Sequence, residues 1–221
     1  MPRITLPSER VNFITHAAGF LIWIPLTIWL VLTARGAADL MIVSLVYGLS
    51  AMFLFFSSAN YHFHKTEENE QSIRRKLDHI AIFVMIAGSY TPIAYIWYEE
   101  PWSWLVIGLQ WGLTLIGLIY KIFIPHPPRW IAPAIYVAMG WVALGAIVPL
   151  YNSMTAPVFL EMILGGVLYT IGAVIYALKR PNIPGSWLGF HEIFHLFILA
   201  GAGVHFAMQY RSVLHQLGPL S

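Results

Sequence analysis

Seven stretches of the chain carry few or no charges, and each is long enough to cross the apolar core of a bilayer: Val11–Thr33, Leu40–His62, Asp78–Tyr98, Trp102–Tyr120, Trp130–Leu150, Pro157–Leu178 and Trp187–Tyr210. A spanning helix needs about 20 such residues. None of the stretches alternates polar and apolar residues with period two, so they read as helices rather than barrel strands. Lipid offers no partner to a backbone amide or carbonyl, and a helix satisfies both within its own segment. The expected fold is therefore all-α: a polytopic membrane protein, one seven-helix transmembrane bundle occupying residues 1–221. Composition supports this, because 58% of the residues are hydrophobic and only 10% are charged, against about 25% charged in a soluble domain. The first stretch is too long for the apolar segment of a cleaved signal peptide. Pro25, Pro92, Pro133 and Pro149 fall inside spans and predict kinked helices. Trp97, Trp102, Trp104, Trp130 and Trp187 lie at span ends, where an aromatic belt would place them.

The basic residues give an expected orientation. Arg3, Arg10, Lys65, Arg74, Arg75, Lys76, Lys121, Arg129, Lys179 and Arg180 lie on the side of the N-terminus, and only Arg35 and Arg211 lie on the other. Cytoplasmic loops carry the excess of Lys and Arg, so the N-terminus is expected inside and the C-terminus outside. The net charge of +2 comes from these scattered residues, not from a basic face. Membrane lipids are the expected partners, with no nucleic acid, and the sequence names no soluble partner.

Ionisable side chains within spans are costly and mark functional sites by default. Span 2 ends at Ser58-Ala59-Asn60-Tyr61-His62, span 3 begins at Leu77-Asp78-His79, and span 7 begins with His191-Glu192-Ile193-Phe194-His195. On the expected topology all three clusters lie at cytoplasmic helix ends, in one layer. His191 and His195, four residues apart, project from the same helix face, and His62 adds a third imidazole at the same depth. The chain has no cysteine, so a transition metal would be held by nitrogen and oxygen. Three histidines with one open position form a common catalytic zinc set. Zn²⁺ is thus the candidate cofactor, with His62, His191 and His195 as its ligands. Ser58 shares the face of His62, and Asp78 sits at the level needed to hydrogen-bond a ligand imidazole or a water at the metal.

Packing is the competing explanation, because a lone histidine at a membrane boundary is usually an interfacial residue and H-E-x-x-H recurs by chance. His64, His79, His126 and His215 are assigned to that class. Glu192 is expected to face interfacial water. His16 lies near the polar layer, preceded by Glu9 and Asn12 at helical spacing. His205, ten residues beyond His195 and so about 15 Å deeper, reads as a hydrogen-bonding group facing the lumen of the bundle, not as a ligand.

Three ordered motifs carry a resemblance: Ser57-Ser58-Ala59-Asn60-Tyr61-His62, then Lys76-Leu77-Asp78-His79-Ile80 through Ala87-Gly88-Ser89-Tyr90-Thr91-Pro92, then His191-Glu192-Ile193-Phe194-His195. Together they resemble the bacterial hemolysin III family, the prokaryotic branch of the progestin and adipoQ receptor group that includes the adiponectin receptors. The resemblance extends over essentially the whole chain, down to Glu9, Asn12, Thr15 and His16 in span 1. It implies a seven-helix bundle with its N-terminus inside, in the bacterial cytoplasmic membrane. It also implies zinc near the cytoplasmic face on His62, His191 and His195, with Asp78 contacting the zinc-bound water and Ser58 preceding the first ligand. Relatives in the wider group are thought to hydrolyse lipid amides such as ceramides. The bacterial branch is named for haemolytic activity and is also discussed in terms of membrane-lipid homeostasis.

Two functions compete. One is a lipid-directed zinc hydrolase, ceramidase-like, in which Asp78 accepts a proton and Ser58 steadies the oxyanion or the water. The other is a non-catalytic receptor or sensor whose structural zinc ties spans 2, 3 and 7 together, with Asp78 as a fourth ligand. A pore-forming haemolysin is disfavoured, since a secreted toxin should dissolve in water before it inserts. An intramembrane protease using Glu192 as base would need a later acidic ligand, and no acidic residue follows Glu192. Reporter fusions should place residues 65–76 in the cytoplasm and the C-terminus outside. A cytoplasmic C-terminal reporter would mean a miscounted span, and the shared layer would be lost with it.

Overall fold

A computed structural model describes residues 7–67, 72–124, 131–183 and 188–218. Among these the chain is helical, without strands, and seven helical segments are long and apolar enough to cross a membrane. Helices α1 (Pro7–Thr33), α2 (Ala38–His64), α3 (Ile73–Trp97) and α4 (Trp102–Phe123) supply the first four. The fifth is composite: α5 (Ile131–Gly140), a 3₁₀ segment (Val142–Ala146) and α6 (Ile147–Ser153). Helix α7 (Ala156–Leu178) is the sixth and α8 (Phe190–Leu217) the seventh. The expectations at Arg3, His126, Arg129, Trp130 and Trp187 lie outside the described residues.

Several helices run past the limits of their apolar stretches. Helix α3 starts at Ile73, ahead of Asp78, and α8 continues to Leu217. The apolar run measures only the part that suits lipid, whereas the helix can extend into the polar residues beyond it. At α3 the cap is Ser72, whose Oγ accepts a hydrogen bond from the backbone of Arg75 at 3.3 Å.

The prolines act unequally. Pro25 and Pro92 sit inside the continuous helices α1 and α3, whereas the fifth span is broken. Pro149 has no N–H to donate, and its ring crowds the carbonyl four residues earlier, at Gly145. The turn just before it winds as 3₁₀. Earlier in the span, where α5 ends at Gly140, neighbouring helices cover the opened backbone: Tyr90 donates to the carbonyl of Gly140 (2.7 Å) and accepts from the amide of Ala143 (2.9 Å). Gln110 on α4 donates to the carbonyl of Met139 (3.0 Å). Broken backbone survives at membrane depth only under such cover.

Consecutive helices from α1 to α4 pack side by side, α7 packs on α8, and α8 closes back onto α1 and α3. Lipid supplies little hydrophobic drive between helices, so close approach and hydrogen bonds hold them together. A Cβ at Gly48 would overlap Thr27 of α1, and one at Gly88 would overlap Ser50 of α2. Gln209 of α8 donates to the carbonyl of Ser89 (2.9 Å). Trp97 corrects the belt expectation: it is buried and donates to Ser212 (2.9 Å), joining α3 to α8. Trp102 and Trp104 are exposed as a belt requires. Gly48→Leu should destabilise the bundle by about 1–3 kcal/mol through overpacking. Gly108→Leu should be nearly neutral, because nothing lies within 4 Å of its Cβ position. Denaturation in detergent micelles compares the two, and equal losses would remove the close-approach account.

Candidate metal centre

Short connections make α1, α2 and α3 alternate in direction, so the start of α1, the end of α2 and the start of α3 share one end of the bundle. The start of α8 joins them by packing on α1 and α3. His62, His191 and His195 meet there. One ring nitrogen from each lies within 4.8 Å of the other two, and the ring centroids are 4.9–5.0 Å apart. His62 and His195 are buried and His191 is half-buried.

The donor atoms suit a metal. His62 Nδ1 faces Glu9 Oε2 at 2.5 Å, while His62 Nε2 is buried without a hydrogen-bond partner. That contact assigns the proton to Nδ1 and leaves the Nε2 lone pair available. His195 Nδ1 is likewise buried and unpartnered. An orphaned buried polar atom costs about 1–3 kcal/mol, a penalty that a bound cation removes. The trio could therefore hold a metal ion, and three imidazoles suit zinc as well as copper, iron or nickel.

Glu9 is the residue that sequence reasoning missed. Its second oxygen, Oε1, accepts from Lys65 Nζ at 2.5 Å, and both side chains are buried. A carboxylate that holds the far nitrogen of a ligand histidine sets its tautomer and ring angle. The available signal was a charged Glu9 at helical spacing before Asn12 and His16, at the end of α1 that meets His62. Lys65 and Lys121, counted as loop charges, are both buried. Their ammonium groups turn inward, to Glu9 and to His79 Nδ1 (3.3 Å) respectively. His16 stacks on His195, with ring centroids 3.7 Å apart and planes 13° apart, and both its nitrogens are buried and unpartnered.

Glu192 corrects a further expectation, because it is buried rather than facing water. Its Oε1 accepts from Asn12 Nδ2 (3.0 Å), and its Oε2 accepts from the backbone of Gly189 (2.8 Å). Helix α8 begins there with four amides that need partners, and this carboxylate supplies one. His64, bonded to the carbonyl of Asn60 (2.9 Å), and His215, stacked on Trp97, are the packing residues expected.

Ser58 and Asp78 lie side by side, close enough for their side chains to interact. Both line a cavity of about 700 Å³ that also carries His191 and His195 and extends to His205. His79, assigned to packing, faces the same cavity. The arrangement puts a carboxylate, a hydroxyl and two of the three trio histidines on the wall of one space, with His62 within reach of that pair.

The chain is similar to known proteins along most of its length. A family described as "Haemolysin-III related" matches residues 4–206. The chain is 34% identical to "Hemolysin-3" of Bacillus cereus over 212 residues, 93% of each chain. It is 33% identical to "Hemolysin-3 homolog" of Bacillus subtilis (strain 168) over 204 residues, 91% of this chain and 92% of the relative. It is also 28% identical to "ADIPOR-like receptor IZH2" of Saccharomyces cerevisiae over 226 residues, 90% of this chain and 70% of the relative. With its seven membrane-spanning helices and a match along nearly its full length, the chain belongs to the haemolysin-III-related family of multi-pass membrane proteins, within the group that includes adiponectin-receptor-like proteins.

Proposed function

We propose that the chain is a zinc-dependent hydrolase of a lipid amide or ester, a single seven-helix domain of the bacterial inner membrane with its site at the cytoplasmic end. The observation that carries this reading is that His191, His195, Asp78 and Ser58 line one cavity, with His62 completing the trio. His62, His191 and His195 are the proposed ligands, and Asp78 and Ser58 the proposed catalytic pair. Zinc on three imidazoles would supply Lewis acidity, polarising a carbonyl and easing the ionisation of water. Asp78 takes up the proton that water loses as it attacks the carbonyl carbon, and returns it to the leaving nitrogen or oxygen. Ser58, beside it, steadies the Asp78 carboxylate. The cavity wall beyond is largely apolar, as an acyl chain needs. The cytoplasmic side follows from the Lys and Arg excess at this end of the bundle.

A receptor or sensor is the second reading, favoured by the Glu9 network. A metal on His62 would join α8 to α2, and Glu9 joins α2 to α1, so the site closes a junction of three helices.

Purified protein should hold about one zinc per chain, for the one trio found among the described residues. His62→Ala, His191→Ala and His195→Ala should each lose most of it, and His64→Ala should not. Glu9→Gln should weaken the metal by about 10–100-fold. Elemental analysis with equal zinc in all five variants would remove the site.

Asp78→Asn separates the two readings. The amide still forms hydrogen bonds but cannot accept a proton at neutral pH. A proton-accepting role predicts retained zinc and a hydrolytic rate about 10²–10⁴-fold lower, measured on native lipids by mass spectrometry. A structural role predicts weaker zinc binding and a lower melting temperature. Unchanged zinc, stability and rate would defeat both roles.

A further inference from the structure

Deeper in the same cavity, two polar rings face each other, and each has a polar atom without the partner that membrane depth demands. His205 stands on α8 and Tyr169 on α7, with ring centroids 5.2 Å apart in an edge-to-face arrangement. Both line the cavity that carries His191 and His195. Tyr169 Oη and His205 Nδ1 are buried and have no hydrogen-bond partner. The other nitrogen of His205 faces the carbonyl of Met162 at 3.5 Å, which puts its proton on Nε2 and leaves Nδ1 an acceptor.

The backbone makes room for both rings. A Cβ at Gly165 would overlap the His205 ring, and one at Gly201 would stand 2.8 Å from Tyr169 Cε1. Phenylalanine would fill the same space without stranding a polar atom. Ionisable groups at membrane depth mark pathways and sites by default, and both of these residues line a cavity.

We propose that His205 and Tyr169 form a second recognition point in the cavity, which binds a hydroxyl group carried on the acyl chain of the lipid. The pair offers one acceptor, His205 Nδ1, and one donor, the Tyr169 hydroxyl. An alcohol matches both at once, since it donates and accepts, whereas a ketone or ester oxygen uses only Tyr169. Ten residues separate His205 from His195, which is about 15 Å along the helix, or roughly a dozen bonds of an extended chain. The recognised hydroxyl therefore lies near the middle of a long acyl chain whose carboxyl or amide end is at the trio. The inference rests on the proposed lipid reading of the cavity.

Equilibrium binding to the purified, metal-loaded protein in detergent tests it with three probes: octadecanoate, 12-hydroxyoctadecanoate and 2-hydroxyoctadecanoate. The 12-hydroxy acid should bind about tenfold or more tightly than the other two, because an analogue without the hydroxyl leaves buried polar groups unpaired. Tyr169→Phe, which removes a single oxygen, and His205→Leu should each abolish that preference while still binding octadecanoate. Equal affinity for all three probes, or a preference that survives both substitutions, would overturn the hydroxyl site and leave the lipid cavity standing. Binding of none of the three would overturn the lipid reading itself, and the second recognition point with it.

Discussion

The carboxylate of Glu9 lies buried between the imidazole of His62 and the ammonium of Lys65, at 2.5 Å from each. A carboxylate there is tolerable only because both oxygens are engaged, since an unpaired buried charge would be strongly destabilising. The pairing ties the start of α1 to the end of α2 and fixes which nitrogen of His62 is free. That nitrogen points the trio inward, and the stacking of His16 on His195 repeats the link from α1 to α8. A metal would thus meet a site whose ligand rings are already oriented by groups on a different helix.

The broken fifth span has a parallel logic. Its backbone opens where α5 ends at Gly140 and is covered there by Tyr90 and Gln110 from α3 and α4. Gly140 and Trp141, at the break, line the large cavity. An uninterrupted helix would present a regular row of side chains there, and the break changes the shape of that wall. The polar end of the cavity and its apolar length then match a molecule with a reactive head and a long tail, which is the common ground of the hydrolase and receptor readings.

The same residues serve both readings because metal sites couple chemistry to folding. Three imidazoles hold an ion whether or not a fourth position is used by water. What differs is the task of Asp78, which sits on the cavity wall against Ser58. A catalytic role needs that carboxylate open to substrate, and its place on the cavity wall is the feature of the fold that favours catalysis. The haemolytic name of the bacterial relatives adds nothing to this choice, since seven apolar spans describe a resident of the membrane rather than a soluble toxin.

Much was legible in the order of residues alone. Seven apolar runs dictate seven helices because lipid leaves the backbone no other way to satisfy its hydrogen bonds. Helical spacing puts His191 and His195 on one face, and alternation of direction brings His62, Asp78 and Ser58 to their level. The tertiary structure alone decided which way the charged side chains turn. Lys65, Lys121 and Glu192 read as loop or interface charges, yet all three are buried, because their partners come from helices distant in sequence. Glu9 and His62 are 53 positions apart, and Asn12 and Glu192 are 180 apart. No periodicity within one helix reports such pairs. Hydropathy records how well a segment suits lipid, whereas the pairing of buried charges depends on which helices pack side by side.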